Sequence, residues 1–183
     1  MQHPIRISGT LAILWLSACS HSYKMEHPSA SSNQITPLIE KGARVLVTLP
    51  KDGAYGNRPY ASSGASTQGA IISTLNSMGA DAVPGPFCED PRDAAPMGLE
   101  SNATWIVMPR IQEWEDRLTE FSGTMDRLRI EIRTTGVLDR SSADLTVVDG
   151  TSRWGGGGLA GGDHPQDMLR PALRPWANAI MKK

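Results

Sequence analysis

The segment Asp163-His164-Pro165-Gln166-Asp167 sets an imidazole between two carboxylates. These are donor types that hold a divalent metal or move protons near neutral pH. The same residues also describe the start of a helix. Asp163 suits an N-cap, Pro165 the first turn, and Asp167 the positive end of the helix dipole. Capping is the simpler reading, which leaves Asp163, His164 and Asp167 as weak metal candidates. A second acidic group, Glu113, Glu115, Asp116 and Glu120, surrounds Trp114 and Arg117. Paired carboxylates are what glycoside cleavage requires, but no second glycosidase feature accompanies them. Glu113, Trp114, Glu115, Asp116 and Arg117 are therefore expected to form an exposed Trp-and-acid surface for a protein partner. The run Gly155-Gly156-Gly157-Gly158 leads into Leu159-Ala160, not into the Lys-Ser or Lys-Thr of a phosphate-cradling loop. Ser62, Ser63 and Ser66 lie beside glycine without a Gly-x-Ser-x-Gly elbow. No catalytic residue is assigned, and no cofactor is expected.

Cys19 is the residue with the best-defined chemistry. Before it, Arg6 supplies a positive start and Leu11-Ala12-Ile13-Leu14-Trp15-Leu16 an apolar stretch, followed by the small pair Ser17-Ala18. That order is a secretory signal, and its apolar part is far short of the ~20 residues needed to span a bilayer. Leu16-Ser17-Ala18-Cys19 resembles a lipobox. A thiol at the cut site takes a diacylglyceryl group, and small neighbours fit the signal peptidase. Lipidation of Cys19 after cleavage is the expectation. Two or three acyl chains would make the anchor effectively permanent, each buried CH₂ contributing about 0.8 kcal/mol. Ser20, where an Asp would favour the inner membrane, favours the outer membrane.

Composition narrows the classes further. The full chain carries 18 Lys+Arg and 19 Asp+Glu. Loss of Arg6 with the signal leaves 17 basic against 19 acidic residues, a net charge of −2. This balance carries neither the basic footprint of a nucleic-acid binder nor a polybasic patch for anionic lipid. About 165 mature residues suit one domain. With Cys19 acylated, Cys88 is the remaining thiol, so no internal disulfide can form. A buried, inert thiol is the simplest reading of it; a reactive thiol or an intermolecular bridge is the alternative.

Three segments follow: a signal peptide over 1–18, a lipidated N-terminus and flexible tether over 19–37, and a periplasmic α/β domain over 38–183. The tether is rich in Ser with Pro28 and Pro37, and its reach is about 25 Å. Arg44 to Leu49 reads as a strand ended by Pro50, and Lys51 to Ser66 as a loop. Ile71, Leu75 and Met78 recur at helical spacing, and Gly79 marks the stop. A short strand is expected at Asp81 to Val83, broken by Pro84-Gly85-Pro86, and a brief helix from Asp90-Pro91 limited by Pro96 and Gly98. Trp105 to Met108 reads as a strand buried on both faces. Leu128, Ile130 and Ile132 alternate with charged residues, a strand with one wet face. Ser141-Ser142 suits a hairpin turn into Asp144 to Val148, and Thr151 to Trp154 a last edge. Pro171 and Pro175 argue for a helical turn after Pro165 and a separate helix beginning near one of them. The natural packing is a single mixed β-sheet with helices on at least one face, an α/β (α+β-like) domain.

Trp105-Ile106-Val107-Met108-Pro109-Arg110-Ile111-Gln112-Glu113-Trp114-Glu115-Asp116-Arg117, continuing through Thr119-Glu120-Phe121-Ser122-Gly123, resembles a signature of the proteobacterial lipoproteins catalogued as domain of unknown function 4823. Asp126-Arg127 and Gly161 to Asp167 continue the likeness, which covers about Val45 to Ala177. The glycine-rich run 155–160 and the proline-rich segment Cys88 to Asn102 depart from it. The resemblance implies a periplasm-facing lipoprotein with a sheet-and-helix domain, and it supplies no catalytic residues. The functional expectation is a non-enzymatic lipoprotein, anchored in the outer membrane through Cys19, that binds or scaffolds another envelope component. The alternative is an envelope hydrolase, or a ligand- or metal-binding domain, using the acids near Trp114 or His164.

Overall fold

The computed structural model describes residues 22–27, 38–116, 125–139, 143–152 and 164–182. Eleven elements follow along these residues: β1 (Ser22–Glu26), β2 (Arg44–Leu49), β3 (Ala54–Tyr55), β4 (Arg58–Pro59), α1 (Ser63–Ser77), β5 (Asp81–Phe87), α2 (Pro91–Glu100), β6 (Trp105–Glu115), β7 (Arg127–Gly136), β8 (Ala143–Thr151) and α3 (Pro165–Ile180). Six strands form one mixed sheet in the order β1-β8-β7-β6-β2-β5, and β3-β4 is a separate small hairpin. β2 runs parallel to β5 and β6, while β6, β7, β8 and β1 pair antiparallel. The fold class matches the α/β expectation.

Alternation along the strands divides the core. Val45, Val47, Val107, Ile130, Ile132 and Val148 point to one face, where α1 and α3 cover them with Ile71, Leu75, Leu173 and Trp176. Leu46, Ile106 and Met108 point the other way and meet Ala94 of α2 and Cys88. β2 and β6 are thus buried on both sides where they pair, as the apolar run Trp105 to Met108 implies. β7 alternates between buried Leu128, Ile130, Ile132 and Thr134 and more open Arg127, Arg129, Glu131 and Arg133.

Four expectations about elements are corrected. β5 continues through Pro84-Gly85-Pro86 to Phe87 because it is an edge strand, where a missing N–H costs no ladder bond on the open side. The same edge is covered at Ala82, whose N–H and C=O both bond the Asn76 side chain, at 2.6 and 3.2 Å. α2 runs through Pro96 to Glu100, and α1 begins at Ser63, inside the segment read as a loop. α3 is one helix from Pro165 to Ile180 with Pro171 and Pro175 inside it. The two prolines stand four residues apart on its exposed side, opposite Met168, Leu169, Leu173, Trp176 and Ile180, each at most 2% exposed. An internal proline costs ~3 kcal/mol, and each large apolar side chain fully buried returns about 1.5–3 kcal/mol. Packing outweighs the breaks.

A fifth difference lies inside the segment 19–37. Ser22–Glu26 of the 19–37 segment is a strand, pairing with β8 in the register Ser22↔Thr151 to Glu26↔Val147. Tyr23 and Met25 pack against the main core. Cys19 and residues 28–37 lie outside the described residues, as do Arg117, Glu120, Ser141-Ser142, the glycine run 155–158 and Asp163.

Candidate functional site

The acids of the sequence cluster gather at the far end of β6. A register shift between Ile111 and Glu113 sets Trp114 opposite Leu128 and Glu115 opposite Arg127. Trp114 therefore turns into the main core, where it is 2% exposed. The expectation of an exposed Trp114 is corrected. The indole fills space against Gly53, where an added Cβ would come within 2.6 Å of the Trp114 Cβ. Glu113 and Glu115 lie on the opposite face of the strand, Glu113 exposed and Glu115 half-buried. The two chemistries expected to share one surface are separated by the pleat.

Asp116, the next residue, leaves the strand and ties three elements together. Its Oδ1 lies 3.1 Å from Nδ1 of His164 at the start of α3. Its carbonyl accepts a 2.8 Å hydrogen bond from the Tyr60 hydroxyl, beyond β4. Hydrogen bonding to Asp116 raises the His164 pKa above its ordinary value, and burial opposes this. The charges of Asp116, Asp167 and Asp126 push in the same direction as the hydrogen bond. Protonated His164 is thus favoured beside three acids, as an ion pair whose imidazole remains half exposed. His164 is also the N-cap of α3, a role expected for Asp163. Asp167 accepts from the His164 backbone N–H at 3.3 Å, and its own N–H donates to the His164 carbonyl at 2.8 Å. Asp167 serves the helix end, as capping predicts. Among the described residues, no group of three or more His, Cys, Asp or Glu is placed to hold a metal ion.

The outer sheet face beside Glu113 carries a polar network. Arg129 lies 3.4 Å from Asp149 and 3.8 Å from Glu26, and donates to Gln112 at 3.2 Å. Gln112 in turn donates to Glu131 at 2.8 Å. Burial raises the Asp149 pKa, Arg129 opposes the rise, and Glu26 and Glu113 add to it. Exposed pairs of this sort contribute about 0–1 kcal/mol each. They fix side chains more than they stabilise the fold.

A polar chain absent from the sequence reading lies under β1. His27 is 6% exposed, and its Nδ1 sits 3.0 Å from the Thr146 hydroxyl. Thr146 donates to Asp144 at 2.6 Å, so its oxygen is left to accept from His27 Nδ1–H. Nε2 of His27 has no hydrogen-bond partner among the described residues. His27 and Thr146 are 119 positions apart, and His27 lies in the segment read as tether. The alternation of Tyr23 and Met25 with Ser22, Lys24 and Glu26 was the signal for a strand there.

Cys88 is buried, as the inert reading expects, with Sγ–H donating to the Asp90 carbonyl at 3.2 Å. Burial, then the charge of Asp93, raises its pKa, which disfavours the reactive thiolate. Ser63 is tied to Gly53 and Tyr60 through its hydroxyl, bonds of 2.8 and 2.7 Å that hold the loop before α1. A groove of about 590 Å³ between α1 and α3 is lined by Ser66, Ala70, Gln166, Leu169 and Arg170, among others. None of the described helices is long and apolar enough to cross a membrane.

Comparison with known proteins places this geometry. A family model described as Domain of unknown function (DUF4823) matches residues 38–180. No curated protein matches the sequence. The fold is similar to that of PelC from Paraburkholderia phytofirmans, crystallised as a dodecamer, with a TM-score of 0.57 and 13% identity over 90% of this chain and 100% of that one. A PelC variant, also a dodecamer, gives 0.56 and 17% identity over 87% and 99%. Lipoprotein GNA1162 from Neisseria meningitidis gives 0.45 and 13% identity over 74% and 98%.

Proposed function

The chain belongs to the family described as Domain of unknown function (DUF4823), and from that membership we propose that it is a non-enzymatic lipoprotein of the bacterial envelope that acts by binding. Acyl chains on Cys19 hold it on the periplasmic face of the outer membrane. The domain presents the β6 end, with Glu113, Glu115 and Asp116, to another envelope component. The single observation that supports the binding reading is the fixing of Asp116. The Tyr60 hydroxyl holds its backbone and His164 its carboxylate. Trp114 anchors the strand beneath, so the acids are carried on a rigid base. Rigid polar groups cost less entropy to bind than floppy ones.

The first partner to test is a second copy of the chain. The fold is shared with PelC, which crystallised as a dodecamer. The experiment is cross-linking of the lipidated protein in membranes, followed by pull-down and identification of what is joined to it. Expected are ladders of the chain itself, or one specific envelope protein, lost on Glu113→Lys combined with Glu115→Lys. Trp114→Ala is unsuitable as the probe, because it removes core. Cleavage of a cell-wall substrate by the purified domain, abolished in His164→Ala or Asp116→Asn, would overturn the reading in favour of a hydrolase. Labelling with a radioactive fatty acid tests the anchor, and equal labelling of wild type and Cys19→Ser would refute it.

A further inference from the structure

The segment expected to be a loose tether begins with a docked strand, and that bears on how the domain sits on its membrane. Ser22 is three residues beyond Cys19, a link of at most about 11 Å when fully extended. The strand it opens is fixed. Tyr23 and Met25 pack on the main core, Glu26 lies 3.8 Å from Arg129, and His27 is buried against Thr146. Resting on the anchorage of Cys19 proposed above, we infer that the end of the sheet formed by Ser22, Thr151, Arg127 and Met125 faces the anchoring bilayer, with a lipid surface as its partner.

The register fixes which end this is. Ser22 pairs with Thr151, and Thr151 pairs with Arg127. Adjacent strands lie about 4.8 Å apart, so Arg127 is roughly 10 Å from Ser22. Met125, 47% exposed, stands two residues before Arg127. Glu115, the last residue of β6, pairs with Arg127 of β7, so Asp116 and His164 belong to the same end. Leu138, 87% exposed, follows Gly136 at the opposite end of β7. Ten residues of strand separate the two ends by about 30 Å. A free chain of 18 residues would let either end approach the lipid. A three-residue link to a docked strand lets only one. The acids of the binding site then lie at the level of the membrane, and the component they meet must reach that level.

The test places a fluorophore at either end of the lipidated protein in phosphatidylethanolamine–phosphatidylglycerol vesicles containing a lipid with a nitroxide headgroup. Met125→Cys carries the label near the inferred lipid surface and Leu138→Cys far from it. The unsubstituted chain serves as the blank for buried Cys88. Expected is quenching several-fold stronger at 125 than at 138. Met25→Asp, which sets a charge where β1 meets the core, is expected to erase the contrast without loss of fatty acid. Equal quenching at the two sites on lipidated protein, or a contrast that survives Met25→Asp in a chain shown by proteolysis to have lost β1 docking, would overturn the orientation alone. Absence of fatty acid on Cys19 in the same preparations would sink the anchorage reading and the orientation with it.

Discussion

Trp114 and Glu115 are neighbours in the chain and occupy opposite faces of β6, so substitutions there separate stability from recognition. Trp114→Ala removes a core indole and is expected to cost about 3–5 kcal/mol, read as the loss in a urea unfolding curve. Glu115→Gln should stay within about 0.5 kcal/mol by the same measurement while weakening partner recovery. His164 adds a pH signature. Its pKa is raised in the folded chain, chiefly by the hydrogen bond to Asp116. The pair therefore stabilises fully below the ordinary histidine pKa, and the contribution fades as pH rises through the raised one. The melting-temperature difference between wild type and Asp116→Asn should be largest in mild acid and vanish in alkali. Half of the imidazole is exposed, so the difference stays under about 1 kcal/mol. A difference that grows toward alkaline pH would show the pairing to be misread.

At the scale of elements, α3 and β5 show how far local rules carry. The β2 strand, the α1 stripe, the wet and dry faces of β7 and the Asp90-Pro91 helix start were all legible, because each is set by local periodicity or by capping chemistry. The continuity of α3 was not. Its two prolines break local rules, and only the burial of Trp176 and Leu173 by the sheet outweighs them. Pro171→Ala restores an N–H that can bond the Asp167 carbonyl, and should raise the melting temperature by an amount equivalent to ~1–2 kcal/mol, less whatever chain entropy the proline had removed from the unfolded state. A lower melting temperature would mean that the ring itself packs. In β5 the prolines belong to an edge that would otherwise invite another strand. Replacing Pro84 and Pro86 by Thr together with Asn76→Ala should make the protein associate with itself in light scattering, while the single changes leave it dispersed.

For the whole molecule, Leu16-Ser17-Ala18-Cys19 carries the proposed attachment chemistry in its local sequence, whereas the strand that begins at Ser22 was not legible. Polar composition between 19 and 37 reads as tether. Five of those residues gain structure only by finding β8, more than a hundred positions away. The site was legible in part, for the same reason. The acids were found by type, yet the pairing of Asp116 with His164 joins residues 48 positions apart, and the inward turn of Trp114 follows from the β6–β7 register.

The pairing of Ser22 with Thr151 also sets an order in time. A chain that emerges amino end first has its opening strand in hand long before the partner strand exists, and contacts this distant in sequence form late. Until residue 151 has arrived, Ser22–Glu26 lacks the full length of β8 to lie against. Ser22–Glu26 therefore stays unpaired through most of the chain's emergence, and the sheet gains its last edge only once β8 has been made.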